Sequence, residues 1–340
     1  MNTSENATFE KARSVWVVSD GTKGMEVQSI GLAERMGFEP QIFRLKPPSF
    51  IRHFPKFAAS GLYPLPLILA KASLEGWPDI IITTGRRMAG LSILLRKKSA
   101  RKSRTIHIQD PKLPASLFDF LIVPSHDRLR ADNVILSLGS LGTITPQKIK
   151  ENAASLSPEI KALPQPRIAV MVGGSNRRYQ VGEAEFKRLG AYLNALAHAT
   201  SGSLAIIPSR RSHAEAAPMI AAEMGRDLLT TPPFWIWDGQ SENPYPGILD
   251  SVDAVVVTSD SVNMTCEACA SGKPVYRYDF KQEKGRISRF HQMMESAGFT
   301  RPLEPIDAST FPGQPGPGLD ETGRVADLLM GREDPPEEAL

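Results

Sequence analysis

Short, nearly continuous apolar runs alternate along this chain with longer stretches of helical periodicity. VWVV (15–18), QIFRL (41–45), DIIITT (79–84), TIHIQ (105–109), FLIV (120–123) and NVILSL (133–138) are rich in β-branched residues and too short for helices. Helical patterns separate them, such as EVQSIGLAERMG, which Gly37 closes. Strands apolar on both faces and joined through helices predict a parallel sheet covered on both sides.

After a Pro-, Ser- and Gly-rich segment at about 142–166 the pattern restarts. IAVMVGG (168–174), SLAIIP (203–208), DAVVVTS (253–259) and PVYRY (274–278) read as strands, with helices over EAEFKRLGAYLNALAHAT, around 214–224 and at 262–271. Residues 302–320, dense in Pro and Gly, are expected to be irregular. The expected fold is α/β, with two Rossmann-like domains, 1–150 and 151–340, facing a cleft that holds a ligand. The C-terminal segment is free to pack back on the first domain.

Composition narrows the class. The chain has 340 residues, 41% hydrophobic and 23% charged, as in a globular protein. Its net charge of +3 arises from 40 basic and 37 acidic residues, so no nucleic-acid partner is expected. Cys266 and Cys269, the only cysteines, exclude a disulfide scaffold and suit a reducing compartment. At helical spacing they share an apolar stripe with Val262, which favours core over a redox or zinc site. The polar N-terminus and the lack of a run of ~20 apolar residues predict a cytoplasmic or membrane-peripheral chain. The stretch 46–71 breaks the α/β rhythm with Phe50, Phe54, Phe57, Lys46, Arg52 and Lys56. It fits a peripheral contact with anionic lipid, a domain-packing loop or a dimer contact.

Chemistry gathers where strands end, because open α/β sheets bind ligands at the carboxyl edge. VVVTSDSVNMTCEA delivers Ser259, Asp260 and Ser261 to a helix N-terminus that favours an anion, with Asn263 and Glu267 one turn apart on a polar stripe. Glu267 suits ribose hydroxyls, as a bidentate acceptor of O–H bonds. In MVGGSNRRY, Gly173 and Gly174 permit close backbone approach, with Ser175 and Asn176 as donors or caps. Arg210 and Arg211 follow a strand and suit a pyrophosphate. In the first half, Asp20, Gly21, Lys23 and Gly24 follow one strand, Gly85 and Arg86 another, and Asp110 a third. Neither a metal-spaced His/Asp cluster nor a G-x-S-x-G elbow occurs, so neither a metal nor a cofactor is expected.

The motifs WVVSDGTKGMEVQSIGLAE, IHIQDP, VMVGGSNRRY, IPSRRS and ENPYPGILDSVDAVVVTSDSVNMTCEACASGKPVY resemble the bacterial members of the mitochondrial-fission-protein ("elongated mitochondria") family over most of residues 14–300. More distantly, the layout resembles GT-B glycosyltransferases such as the peptidoglycan N-acetylglucosaminyltransferase. That resemblance implies a GT-B-like fold and a nucleotide-diphosphate sugar as donor substrate. It places Gly173, Gly174, Ser175 and Asn176 at the diphosphate, Ser259, Asp260 and Ser261 in the donor site, and Glu267 on the ribose. The transferase pattern has a histidine after its first glycines, whereas here Met25 and Glu26 follow Gly24. The candidate catalytic bases are then Asp110, Asp20 and Glu26. Three readings follow. One is a metal-independent glycosyltransferase acting on an envelope lipid or glycan. Another is a non-catalytic membrane-associated adaptor that keeps the fold. The third is a nucleotide-sugar epimerase.

Overall fold

The computed structural model describes residues 9, 11–47, 59, 65–176, 178–209, 212–225, 232–280, 285–303 and 309–332. It falls into two compact units, residues 1–143 with 321–340, and residues 144–320. The expected second domain of 151–340 therefore differs at both ends: it starts earlier and yields its last helix to the first unit.

In the first unit six parallel strands are ordered β2-β1-β3-β4-β5-β6. They are β1 (Val15–Ser19), β2 (Gln41–Arg44), β3 (Ile80–Thr84), β4 (Arg104–Ile108), β5 (Phe120–Pro124) and β6 (Val134–Ser137). Alternation along β1 assigns its two faces. Val15 and Val17 pack with Leu32 and Ala33 of helix α1 (Lys23–Arg35), with Met36 just after it, and with Val325, Ala326 and Leu329 of α11 (Glu321–Met330). Trp16 and Val18 face the other way, onto Ile68 of α2 (Pro66–Glu75) and Leu91, Leu94 and Leu95 of α3 (Arg86–Lys98).

Helix α11 completes the first unit through its own first turn. The buried Glu321 accepts the Leu138 amide (2.8 Å) and pairs with Arg324 (2.8 Å), while Thr322 Oγ1 accepts the Gly142 amide (3.0 Å). Nothing local in residues 321–330 specifies that partner, which is why the sequence left the tail's position open.

The second unit is another six-stranded parallel sheet, ordered β12-β11-β10-β7-β8-β9. Its strands are β7 (Arg167–Val172), β8 (Ser203–Pro208), β9 (Phe234–Ile236), β10 (Ala254–Thr258), β11 (Val275–Tyr278) and β12 (Arg301–Pro302). Counted within the unit this is the 3-2-1-4-5-6 order of a Rossmann fold. Ile168, Val170 and Val172 of β7 bury against Phe186, Leu189 and Leu193 of α6 (Glu183–Thr200) and Ile220 and Met224 of α7 (His213–Met224). Each such side chain contributes about 1.5–3 kcal/mol.

The segment read as a linker holds α4 (Pro146–Ala153) and α5 (Pro158–Lys161), each opened by a hydroxyl residue and a proline, Thr145-Pro146 and Ser157-Pro158. Helices α8 (Tyr245–Ser251), α9 (Val262–Cys269) and α10 (Arg286–Ser296) complete the unit. Cys266 and Cys269 are buried residues of α9 and are not joined in a disulfide. Among the described residues no helix is long and apolar enough to cross a membrane.

Candidate functional site

Strand order places the candidate loops before any side chain is considered. In the second unit the chain reverses direction across the sheet between β7 and β10, the position where such sheets leave a crevice at their carboxyl edge. The turns leaving these strands are 173–182 and 259–261, and β8 lies on the side of β7 away from β10.

A hydrogen-bonded knot ties these turns together. The Gly173 amide donates to Thr258 Oγ1 (2.8 Å), and that hydroxyl donates to Asp260 Oδ1 (2.7 Å). Asp260 Oδ2 accepts the Gly174 amide (3.0 Å), and Asn176 Nδ2 donates to the Asp260 carbonyl (3.1 Å). The Ser259 carbonyl accepts both Tyr179 Oη (3.0 Å) and His291 Nε2 (2.8 Å), while its hydroxyl accepts the Phe280 amide (3.2 Å). Burial lowers the pKa of His291, consistent with a neutral ring in this role. Ser175 Oγ closes its own loop, accepting the Val181 amide (3.0 Å) and donating to the Val181 carbonyl (2.8 Å).

The glycine pair has an internal reason to be glycine. A Cβ on Gly173 would lie 2.0 Å from Asp260 Oδ1, and one on Gly174 would lie 2.8 Å from Ser212 Cβ. The sequence reading gave these glycines, and the hydroxyl and amide groups around them, to an incoming diphosphate. The side chains of Thr258, Ser259 and Asp260 turn inward, and Ser175 and Asn176 hold loop geometry. A carboxylate satisfied by two close donors is cheaper to bury than one left unpaired, so the knot absorbs it.

What remains at the edge is a smaller set: Ser261, Asn263 and Glu267, all half-buried. Ser261 caps α9 by accepting the Met264 amide (3.3 Å), which leaves the helix dipole pointing at the edge. Glu267 lies further along the same helix. Its carboxyl is crowded by protein although the residue keeps partial access to solvent, and burial lifts its pKa to about 7. Its neighbour is Tyr245, at the start of α8. The Tyr245 pKa is raised by burial first, then by the Glu267 charge and by a hydrogen-bonding contact with that carboxyl, a contact that falls short of normal hydrogen-bond geometry. Arg210 and Arg211 lie outside the described residues, as do Phe54 and Phe57.

The first unit has its own switch point, between β1 and β3. Asp20 Oδ1 accepts the Thr22 amide (2.9 Å), and Oδ2 lies 3.4 Å from Arg87 Nη1. Gly21 needs its freedom, with φ +78°, and so does the buried Gly85, with φ +84°. Lys23 and Gly24 open α1, and Arg86 stands exposed at the start of α3.

Two candidate bases are held by strong partners. Glu26 takes Arg44 in a forked pair (2.7–3.1 Å), chiefly through which its pKa is lowered, which makes it a weaker base. The buried Asp110 accepts the Lys112 amide (2.8 Å) and pairs with the Lys112 ammonium. The residue before it, Gln109, is held at φ +80°, a strained conformation of the kind found at functional edges. His107 is fully buried, and burial pushes its pKa down to about 3. Among the described residues no group of three or more His, Cys, Asp or Glu could hold a metal ion.

The family model described as Mitochondrial fission ELM1 matches residues 23–332. The Arabidopsis thaliana "Mitochondrial fission protein ELM1" is 32% identical over 248 residues, 66% of this chain and 57% of that protein. The chain thus spans little more than half the length of that relative. "Uncharacterized protein RP120" of Rickettsia prowazekii is 27% identical over 303 residues, 77% of this chain and 82% of its own. Among solved structures, MurG of Acinetobacter baumannii superposes with a TM-score of 0.52 at 11% identity, covering 94% of this chain and 99% of that one. A UDP-GlcNAc 2-epimerase of Neisseria meningitidis, bound to UDP-GlcNAc, gives 0.50 at 12% identity, covering 94% and 90%. At such identities the likeness concerns the fold, which is GT-B-like.

Proposed function

The chain belongs to the Mitochondrial fission ELM1 family, and from that premise we propose that it is a glycosyltransferase that binds a nucleotide-diphosphate sugar in its second unit. The observation that carries this reading is the Rossmann switch point at β7/β10. There a capped helix start and a crowded, half-accessible carboxylate stand on one edge. Helix α9 with Ser261 would meet the diphosphate and Glu267 the ribose, with Arg210 and Arg211 assigned to the leaving diphosphate. The fold it shares with an epimerase recorded with UDP-GlcNAc supports this ligand class.

We assign acceptor deprotonation to Asp20, with Asp110 second. Asp20 sits at the first unit's switch point, and its cation approaches no closer than 3.4 Å. The acceptor we propose is a lipid or glycan of the cell envelope, reached by peripheral membrane contact. Support comes from α2, which begins within the end of the aromatic and basic stretch 46–71 and exposes Leu69 (39%) and Leu74 (83%).

A second reading, a nucleotide-sugar-binding adaptor without turnover, is favoured by the pairing of all three candidate bases with cations. A thermal-shift panel of nucleotide sugars tests binding, since a ligand at 100 times its Kd adds about 2.7 kcal/mol to apparent stability. Mass spectrometry with membrane extract as acceptor then separates transfer from epimerisation and from neither. Absence of any shift across the panel would overturn both readings.

A further inference from the structure

Tyr245 opens α8, and the helix is held firmly in the second unit. Ile248 and Leu249 are buried, and a Cβ on Gly247 would lie 2.4 Å from the Asn152 carbonyl of α4. Asn243 Oδ1 fixes the turn before it by accepting the Tyr245 amide (3.2 Å). Helix α9 is equally fixed, by the Ser261 cap and the buried Cys266 and Cys269. Two rigid elements thus hold one phenol and one carboxylate close enough for each to act on the other's ionisation. The phenol oxygen is buried, its contact with Glu267 falls short of normal hydrogen-bond geometry, and among the described residues the Glu267 carboxylate has no other partner.

Buried hydroxyls are ordinarily well satisfied, so a phenol poorly aligned with an underused acceptor points to a third group that completes them. That group must donate to the carboxylate and accept from the phenol, which a ligand hydroxyl does at once and an amine or a phosphate does not. From Ser261 to Glu267 along α9 is roughly 9 Å. This is the scale that separates a nucleotide's diphosphate from the hydroxyl pair of its ribose.

We infer that Tyr245 is a specificity-determining residue that reads the ribose: its hydroxyl donates to the 2′-oxygen while the 2′- and 3′-hydroxyls donate to Glu267. This rests on the nucleotide-binding reading above. A 2′-deoxyribose leaves the phenol poorly paired again, and a site built around a hydroxyl discriminates strongly against the analogue that lacks it.

The test is calorimetric titration of the full chain with UDP and 2′-deoxy-UDP, or with the corresponding pair for whichever base the thermal-shift panel selects. The wild type should prefer the ribonucleotide by at least ~30-fold. Tyr245→Phe should shrink the preference to within about three-fold, mainly by weakening the ribonucleotide, with the melting temperature unchanged or raised because a poorly satisfied hydroxyl is gone. Glu267→Gln should weaken the ribonucleotide as well. A Tyr245→Phe protein that melts lower and keeps the full preference would overturn the inference, since the pair would then be structural. So would a wild type that binds both nucleotides equally. Were no nucleotide of either series to bind the wild type, the nucleotide-binding reading itself would fall.

Discussion

Replacing Glu267 by Gln should make the protein more stable and less able to bind. Burial raises the carboxyl pKa from an ordinary 4.5 to about 7. A carboxyl whose folded pKa is raised contributes fully below pH 4.5, where both states are protonated, and that contribution is lost as the pH climbs toward 7. Between these values the unfolded chain ionises first, and above pH 7 the native state carries a charge in a crowded site. At ~1.4 kcal/mol per pH unit the gap amounts to about 3 kcal/mol, and the residue's partial solvent access reduces this to roughly 1–3 kcal/mol. Glutamine carries no such charge. Denaturant unfolding at pH 8 should therefore show the variant more stable by that amount, and at pH 4.5 the two proteins should be nearly equal. Calorimetric binding of the preferred nucleotide should weaken about ten- to a hundred-fold, the loss of a charge-assisted hydrogen bond of ~1.5–3 kcal/mol. Wild-type affinity should rise from pH 6 to pH 8 as the carboxylate forms, while the variant's stays flat. A variant that is destabilised at pH 8, or that binds as the wild type does, refutes this reasoning.

Other consequences are equally direct. Gly173→Ala drives a methyl group into Asp260 and should cost ~2–4 kcal/mol in denaturant unfolding, whereas Gly182→Ala, which meets only open space, should be near neutral. Equal effects at the two sites would contradict the knot. Asp20→Asn should lower turnover at least ~100-fold with nucleotide affinity unchanged, while Glu26→Gln should leave turnover within a few-fold; the reverse ranking in a transfer assay would move the base. Leu69→Ser with Leu74→Ser should halve or more the fraction that co-sediments with anionic vesicles. Addition of salt should weaken the wild type's binding too, and indifference to both removes α2 from the membrane contact.

Much of the fold lay on the surface of the sequence because it is written in local periodicity. β7 is apolar from Ile168 to Val172 and β10 from Ala254 to Val257, as a sheet covered on both faces requires, and both lie within a residue or two of the expected bounds. β9 and β12 were not legible, since three residues and two residues carry no period. Helices α4 and α5 were signalled by Thr145-Pro146 and Ser157-Pro158, but the proline and serine content of the segment outweighed those caps. The turns at the switch point were found by the edge rule, and their internal roles were not. Whether Asp260 faces a ligand or the amide of Gly174, 86 residues away, depends on contacts that no local pattern encodes. The Tyr245 hydroxyl is the same kind of case. Its poor alignment with Glu267 arises only when α8 and α9 are packed.

A nucleotide-diphosphate sugar bound at the β7/β10 edge should leave its footprint in hydrogen–deuterium exchange of the full chain, measured with and without the preferred nucleotide sugar. Protection is predicted in peptides covering 173–179, 245–251 and 259–269, and it should vanish in Glu267→Gln at the same ligand concentration. Saturable binding that protects none of these peptides, or that protects them equally in Glu267→Gln, would contradict the account.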